Sequence, residues 1–540
     1  MANAREIIET ILHNRGIHTA EETEEFLSDR PQKTYDPFLL TGMKEGVDLL
    51  LSEIRAGSRI CIYGDYDADG VTATCIMAAC LKRLTSNYFF YIPSRMAEGY
   101  GLNKGAIDRI IEQGADLILT VDCGCVSYNE VEYAKSKGLK VIVTDHHNIE
   151  DVIADCIVIN PKHPDNQYPF RHLAGCGVAY KFVQAVQRTA DLPREVLTET
   201  LDLAAIGTIG DIVPLLDENR TITKYGIYNC NSGGRQGLRH LADEISLKEI
   251  DSENIAFGIV PHINAAGRMG TATDAVDLFL ADDEATIQSK TQQLITYNRQ
   301  RKDTQEVAYR NCLDYVTGDE HFILLRMDNI HEGIAGIVAG KIKDRFYRPV
   351  IIVTPSDDGK YKGTGRSIPG IDLYEVLNNC SELFLRFGGH KSACGFLMEG
   401  ENYEALDRSV HEQAAGILQN SPETFERVTA YDAVLTPAEV TVELAKELRK
   451  LAPFGEGNPQ PKFLLPDVIM KNVNYMGKDG THARFYVNEN NNYVNCVLFR
   501  KALEYQHLLH SGTPHDLIGS LSYQVWNGQE RVQFMIEEII

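Results

Sequence analysis

Three aspartates at alternate positions, Asp65, Asp67 and Asp69, follow a short apolar run in RICIYGDYDADG at residues 59–70. Carboxylates that close repel one another, and without a compensating cation their pKa values shift or the loop opens. Carboxylate oxygens are hard ligands that suit Mg²⁺ or Mn²⁺. The spacing therefore predicts a catalytic metal loop, weighed against an ordinary turn, in which Asp and Gly are also common. A helix–loop–helix calcium site is disfavoured, because it needs a preceding helix and a glutamate at loop position twelve.

More acids and imidazoles follow. LILTVDCG puts Asp122 just beyond a continuous apolar run, and KVIVTDHH does the same for Asp145, His146 and His147. AIGTIGDIVPL sets Asp211 between a helical stretch and Pro214. Each alone reads as a helix cap or a loop residue. Together they form four segments that deliver carboxylate or imidazole to one edge of a sheet, which packing does not require.

The elements that must position them have an α/β pattern. Ile60, Cys61, Ile62 and Tyr63 read as a buried strand of a parallel sheet, and Val71, Cys75, Ala78, Ala79 and Leu81 give the helical face after it. Strands are expected at 60–63, 88–92, 117–121, 140–144 and 156–159, and helices at 103–113, 127–137 and 178–189. Such sheets bind ligands beyond the carboxyl ends of their strands.

From 216 to about 315 the pattern is helical, with one long polar-faced helix over 284–315. PHINAAGRMG contributes Asn264, Gly267 and Arg268, an odd set for a core helix. A second α/β pattern starts near 320 with FILLRM, a helix through 335–345 and PVIIVTP. It carries GKYKGTGRSIPG and FGGHKSACGF, whose glycines could let backbone N–H groups approach a phosphate or could simply make hairpin turns. After PFGEGNPQP the last eighty or so residues alternate as a small β-barrel does. Phe485, Tyr486, Tyr493, Phe499, Tyr523 and Trp526 interleave there with Arg484, Arg500, Lys501 and Arg531. Base stacking with backbone charge would use such a set, although aromatics in strands more often fill a core.

At 540 residues the chain needs two to four domains. A hydrophobic fraction of 44% and a charged fraction of 24% are those of an ordinary globular protein. No apolar run is long enough to span a membrane and MANAREIIETILHNRG is no secretory signal, so a cytoplasmic location is expected. The twelve cysteines lack CxxC pairing and read as buried reduced thiols; Cys123 and Cys125 alone make a weak CxC. A net charge of −23 argues against a protein that coats duplex nonspecifically, but not against an enzyme drawing a polyanion past cations.

With the aspartate triplet, Asp122 and the DHH at 145–147 in view, the chain resembles the DHH phosphoesterase superfamily. Within it the likeness is to the family of single-strand-specific 5′→3′ DNA exonucleases. GDYDADG, EGYGL (98–102), VDCG, DHH, GDIVPL, INAAGR, HEGIAGIVAGKI, GRSIPG and GGHKSACGF recur in that family's order, from about residue 50 onward. The fold this implies is α/β: a parallel-sheet DHH domain, a long connecting helix, a smaller DHH-associated α/β domain and a C-terminal OB-type β-barrel. The expected boundaries are an N-terminal helical extension at 1–57, the DHH domain at 58–280, the connector at 281–318, the second α/β domain at 319–427 and the OB domain at 428–540. Stopping at the barrel implies the shorter architecture, without an additional C-terminal domain.

The resemblance also implies roles. One divalent cation, Mn²⁺ or Mg²⁺, would be held by Asp69, Asp122, His146 and Asp211, and a second by Asp65, Asp67 and the shared Asp122. His147 would face the scissile phosphate and assist attack or departure, with Asp122 and Asp145 as the other catalytic residues. Arg268 with Asn264, Arg366 with Ser367, and Gly388, Gly389 and His390 would grip phosphates across a cleft, while Tyr523 and Trp526 would stack bases. His331 heads a similar segment. Gly210 stands where many relatives have Ala, and Cys125-Val126-Ser127 departs from the family pattern, but neither removes a ligand. The implied activity is release of 5′-mononucleotides from single-stranded DNA in repair and recombination, by a monomer working with a helicase and a single-strand-binding protein. Two alternatives are a DHH hydrolase of small nucleotides or oligoribonucleotides and a non-catalytic replication scaffold. The first would have a histidine where Tyr63 stands and no barrel, and the second would have lost its acids.

Overall fold

The computed structural model describes residues 4–95, 98–149, 152–356, 359–489 and 492–540, with Trp526 described by its backbone alone. Two compact units emerge: Met1–Tyr91 with Gly101–Val260 and Thr429–Ile540, and Ile92–Tyr100 with Pro261–Val428.

The first unit is built on five parallel strands, β1 (Ile60–Tyr63), β2 (Tyr88–Tyr91), β3 (Leu117–Val121), β4 (Lys140–Thr144) and β5 (Ile157–Ile159). Their order is β2-β1-β3-β4-β5, with Ile60 opposite both Tyr88 and Leu117. β1 and β3 are buried at every residue, as their unbroken apolar runs require in a sheet covered on both faces. The helix after β1 spans Ala68–Leu81, three residues earlier than its apolar face predicted, because Asp67 caps it. That helix is buried almost throughout, since helices Gly175–Thr189 and Leu201–Gly210 both pack on it. Its apolar residues encircle it and make no stripe.

The N-terminal helices, Ala4–Asn14 and Ala20–Leu27, join a different core. Thr19 and Glu22 close a capping box on the second of them. Ile7, Ile8, Ile11 and Leu12 pack with Leu444, Phe463 and Leu465 of the C-terminal domain. That domain is one seven-stranded sheet of β11 (Ala433–Val434), β12 (Phe463–Val468), β13 (Lys471–Met476), β14 (His482–Glu489), β15 (Asn492–Leu498), β16 (His515–Trp526) and β17 (Gln529–Ile539). The order is β11-β12-β16-β17-β15-β14-β13, and β12 also meets β14 four places along, so the sheet curls on itself. Asn527 and Gly528, both at positive φ, make the tight turn between β16 and β17.

In the second unit, Asp283 caps a 30-residue helix, Glu284–Leu313. A five-stranded sheet follows: β6 (Ile323–Arg326), β7 (Val350–Pro355), β8 (Lys360–Arg366), β9 (Phe384–His390) and β10 (Ala393–Glu399), in the order β6-β7-β8-β10-β9. Helix Glu332–Phe346 covers one face, and Ile334, Val338 and Ile342 are its buried side. No helix among the described residues is long and apolar enough to cross a membrane.

Candidate metal centre

β2 lies on one side of β1 and β3 on the other, so the connections diverge and leave a crevice at the carboxyl ends of β1 and β3. Asp65 is two residues beyond β1, Asp122 directly follows β3, and Asp145 directly follows β4. At Asp122 the backbone turns into the left-handed region, φ +63°, while its N–H still donates to the Thr144 carbonyl at 3.0 Å. The three aspartates of the first motif prove to have separate supports and do not share one loop. Asp65 is on the loop. Asp67 is the helix N-cap, its Oδ1 accepting from the N–H groups of Asp69 (2.9 Å) and Gly70 (3.1 Å). Asp69 lies in the first turn, and its two oxygens accept from the N–H groups of Gly175 (2.6 Å) and Cys176 (2.8 Å). The positive N-terminus of helix Gly175–Thr189 thus offsets the buried Asp69 charge.

Around His146 the carboxylates converge. Its Nε2 lies 3.2 Å from Asp122 Oδ1, 3.6 Å from Asp211 Oδ2 and 3.8 Å from Asp69 Oδ2. Asp211 arrives from the C-cap of helix Leu201–Gly210. The donor atoms of Asp69, His146 and Asp211 lie within 4.8 Å of one another; those of Asp65, Asp67 and Asp122 form a second such group, and those of Asp122, His146 and His147 a third. Two ligands at about 2.1 Å from one octahedral cation lie roughly 3 Å apart, which is the scale of these separations. Asp122 Oδ1 and both ring nitrogens of His146 are buried without a hydrogen-bond partner. Such atoms each cost about 1–3 kcal/mol when left unsatisfied. Oxygen donors with one imidazole, arranged this way, fit hard divalent cations, and Asp122 belongs to more than one group.

Electrostatics points the same way. Burial, then the charges of Asp69, Asp67, Asp211 and Asp65, raise Asp122 well above the usual carboxylate range. Burial and the charges of Asp69 and Asp67 push Asp211 up to about 9. Burial also raises Asp69, against the opposing pull of His146. His146 is lowered to about 4 by burial, so its ring is neutral and able to ligate.

Asp145 does something else. Its Oδ1 accepts from the backbone N–H groups of His146 (2.7 Å) and His147 (3.1 Å) and faces His147 Nδ1 at 2.8 Å, and its Oδ2 accepts from the Cys125 N–H at 2.9 Å. Burial alone would raise it, yet the hydrogen bond and charge of His147 hold it below the ordinary range. In turn, although burial disfavours its charge, Asp145 raises His147 to about 9. A carboxylate at Nδ1 makes that nitrogen the donor and fixes the tautomer and the ring orientation. Asp145, expected with His147 as a catalytic group, is buried, and its two oxygens face four nitrogens.

Tyr63, where small-nucleotide hydrolases would carry a histidine, is buried in β1, donates to the Gly101 carbonyl at 2.9 Å and stacks on Tyr91. It has a packing role.

The second unit holds the other expected residues. Asn264 and Arg268 lie one turn apart on helix Val260–Met269, and Arg268 donates to the Gly333 carbonyl at 2.5 Å. Arg366 ends β8 and donates to the Gly365 carbonyl at 2.7 Å. Burial lowers the Arg366 pKa, and the charge of Arg95 adds to the effect. Arg95 escaped notice in the sequence, where its one signal is a cation closely following β2. Ser367 is buried, its hydroxyl donating to the Ile371 carbonyl at 2.8 Å and its N–H to the Ser392 carbonyl at 2.9 Å. Gly388, Gly389 and His390 are exposed at the end of edge strand β9, with His390 Nδ1 accepting from the Ser392 N–H. His331 caps helix Glu332–Phe346 through Nδ1.

Two aromatic or glycine-rich readings change. Gly363 lies within β8, where a Cβ would stand 2.0 Å from Phe396 Cζ, so it makes room for a ring and is no phosphate loop. Phe485 is core. Tyr523 donates to Glu530 Oε1 at 2.8 Å while Lys446 and Arg449 approach its ring at 5.6 and 5.5 Å, and the Trp526 side chain lies outside the described residues.

Residues 59–208 match the DHH family, N-terminal domain; residues 319–416 match the DHHA1 domain and residues 431–538 the RecJ OB domain. The fold and centre are thus those of a DHH protein with an appended OB domain. The chain is 36% identical over 539 residues to the single-stranded-DNA-specific exonuclease RecJ of Bacillus subtilis, covering 98% of this chain and 67% of that one. It is 33% identical to RecJ of Escherichia coli over 485 residues, covering 85% of this chain and 82% of the other. A crystal structure of RecJ with Mn²⁺ from Thermus thermophilus superposes with a TM-score of 0.83 at 31% identity, over 98% of this chain and 75% of that one. The chain belongs to the RecJ family of single-stranded-DNA-specific exonucleases.

Proposed function

We propose that this chain is a 5′→3′ exonuclease that uses two divalent cations, Mn²⁺ or Mg²⁺, to release 5′-mononucleotides from single-stranded DNA. The observation that carries the reading is that Asp122 groups with Asp65 and Asp67 on one side and with His146 on the other, the His146 ring in turn facing Asp69 and Asp211. Asp69, Asp122, His146 and Asp211 would hold one cation, and Asp65, Asp67 and Asp122 the other. When bound, the pair supplies Lewis-acid stabilisation of charge developing on the attacking and leaving oxygens of a phosphodiester.

The chain's own groups do the rest. Helix Gly175–Thr189 fixes the Asp69 carboxylate by its two N–H bonds and opposes the cost of burying it. His147, its Nδ1–H tied to Asp145, presents Nε2 as a proton donor or acceptor to an oxygen of the reacting phosphate. Arg268, Arg366, Arg95 and the Gly388–His390 end of β9 supply charge and N–H groups for phosphates, with Asn264 beside Arg268. Tyr523 and Trp526 remain candidates for base contact. The family likeness favours a role in repair and recombination, in the cytoplasm, as a monomer with a helicase and a single-strand-binding protein as partners.

The test is a single-stranded oligonucleotide labelled at either end, digested with Mn²⁺, with Mg²⁺ or with chelator. The reading expects mononucleotides lost from the 5′ end only, in the presence of cation. Asp122→Ala should remove hydrolysis while the fold persists. A variant with near-normal Mn²⁺-dependent turnover would overturn the shared-ligand assignment.

A further inference from the structure

Ile212 follows the ligand-bearing Asp211 directly and sits in the left-handed backbone region at φ +60°. Of the ten non-glycine residues at positive φ among those described, it alone is β-branched, the type least tolerant of that conformation. Such strain persists only where the surroundings impose it. Here they do so on both sides. Upstream, the Asp211 N–H donates to the Gly207 carbonyl at 2.8 Å and closes the helix. Downstream, buried Leu215 donates its N–H to the Glu456 carbonyl at 2.8 Å, and Asn219 Nδ2 holds the Pro214 carbonyl at 3.0 Å and that of His172 at 2.6 Å. The turn between is pinned to the body of the first unit.

A pinned turn of this kind would be easier with Gly or Asn in place of Ile212. An isoleucine would still make sense as packing if it were buried, but it is 70% exposed. The fold therefore holds an aliphatic branch in solvent, one residue from a group of the metal centre. One Cα step is about 3.8 Å, so an exposed side chain next to a ligand of the cation that binds the scissile phosphate is within reach of the sugar bonded to that phosphate. Deoxyribose offers a CH₂ at its 2′ position, which an aliphatic branch can cover. Ribose offers a hydroxyl there, which would lose water against the isoleucine and gain no partner.

We infer that Ile212 packs against the sugar joined to the scissile phosphate and sets a preference for deoxyribose over ribose at that position. The inference rests on the nuclease reading above and adds a specificity-determining residue to it. Base identity plays no part, because an aliphatic branch beside the sugar reads no base edge.

The experiment compares wild type with Ile212→Gly and Ile212→Asn, both of which relieve the backbone. Substrates are a single-stranded DNA oligonucleotide, the same oligonucleotide with one ribonucleotide at its 5′ end, and bis(p-nitrophenyl) phosphate, which has no sugar. The expected result is a KM for DNA raised about tenfold, as loss of part of one apolar contact implies. The deoxyribose-to-ribose ratio of kcat/KM should fall by a similar factor in both variants. Mn²⁺ affinity and hydrolysis of bis(p-nitrophenyl) phosphate should stay at wild-type levels. Unchanged KM and unchanged sugar ratio would overturn the assignment. So would weakened Mn²⁺ binding with equal losses on all three substrates, because Ile212 would then act by placing Asp211. Wild type that fails to shorten the DNA removes the nuclease reading and this inference together, whereas active wild type with unaffected variants removes only the inference.

Discussion

A Cβ on Gly175 would stand 2.4 Å from Oδ1 of Asp122. Gly175 is also the first residue of the helix whose N–H groups hold Asp69. One glycine therefore sets how closely a helix N-terminus can approach two carboxylates of the centre. Gly175→Ala should push Asp122 aside or draw the helix back from Asp69. Groups that orient metal ligands are typically worth 10–100-fold in affinity, and a loss of roughly that size in Mn²⁺ binding is expected here. Titration with Mn²⁺ followed by electron paramagnetic resonance reads it, alongside circular dichroism to show that the helices persist. Wild-type affinity in a folded variant would mean that the carboxylates relax at no cost.

The raised carboxylates predict that cation uptake releases protons. Asp211, pushed up to about 9, is largely protonated at neutral pH in the metal-free protein, and burial with the neighbouring carboxylates raises Asp122 well above its usual range. A cation must displace those protons, so affinity should climb as pH rises toward 9. Stability has the opposite slope without metal. An acid whose folded pKa is raised binds more protons folded than unfolded between about 4 and 9, so the metal-free protein loses stability as pH rises through that window. The gain in Tm on adding Mn²⁺ should accordingly be larger at pH 8.5 than at pH 6. Calorimetry in buffers of different ionisation heat counts the protons directly, and a heat independent of buffer would contradict this account.

Much of this architecture was legible in the sequence because continuous apolar runs mark strands buried on both faces. Where a run ends in an acid, as at Val121-Asp122 and Thr144-Asp145, the carboxyl edge of the sheet is already marked. Patterns could not reveal contacts made across long sequence separations. Gly175 looks like any small residue until its helix is docked against Asp122. Gly363 looked like loop flexibility and proved to be a strand residue under the Phe396 ring, since cross-strand packing leaves no local trace. Asp145 and His147 stand together in the DHH triplet, and only the folded chain shows that the carboxylate takes up the His147 Nδ1 at 2.8 Å. The N-terminal helices, read simply as an extension, fill the core of a domain that begins some 400 residues later.

That extension is also locked by charge. Lys181 Nζ donates to Glu218 Oε1 at 2.8 Å and to the Tyr35 carbonyl at 2.6 Å, and the Lys181 and Glu218 side chains are almost wholly buried. Tyr168 donates to the other Glu218 oxygen, and the Thr34 hydroxyl donates to Oε1 at 2.7 Å. Burial lowers the Lys181 pKa, with Glu218 opposing it, so the pair survives through mutual attraction and the donors around it. Removing one partner leaves a buried charge with nothing to compensate it. Lys181→Met should therefore destabilise the protein by about 3–5 kcal/mol in urea unfolding. Lys181→Met with Glu218→Gln should recover much of that loss, because the orphaned charge is gone. Mn²⁺ affinity should be unaffected in whichever variant remains folded, as neither residue belongs to the donor groups of the centre. If the single variant unfolds at the wild-type midpoint, the pair is dispensable and residues 33–36 are held by their other contacts.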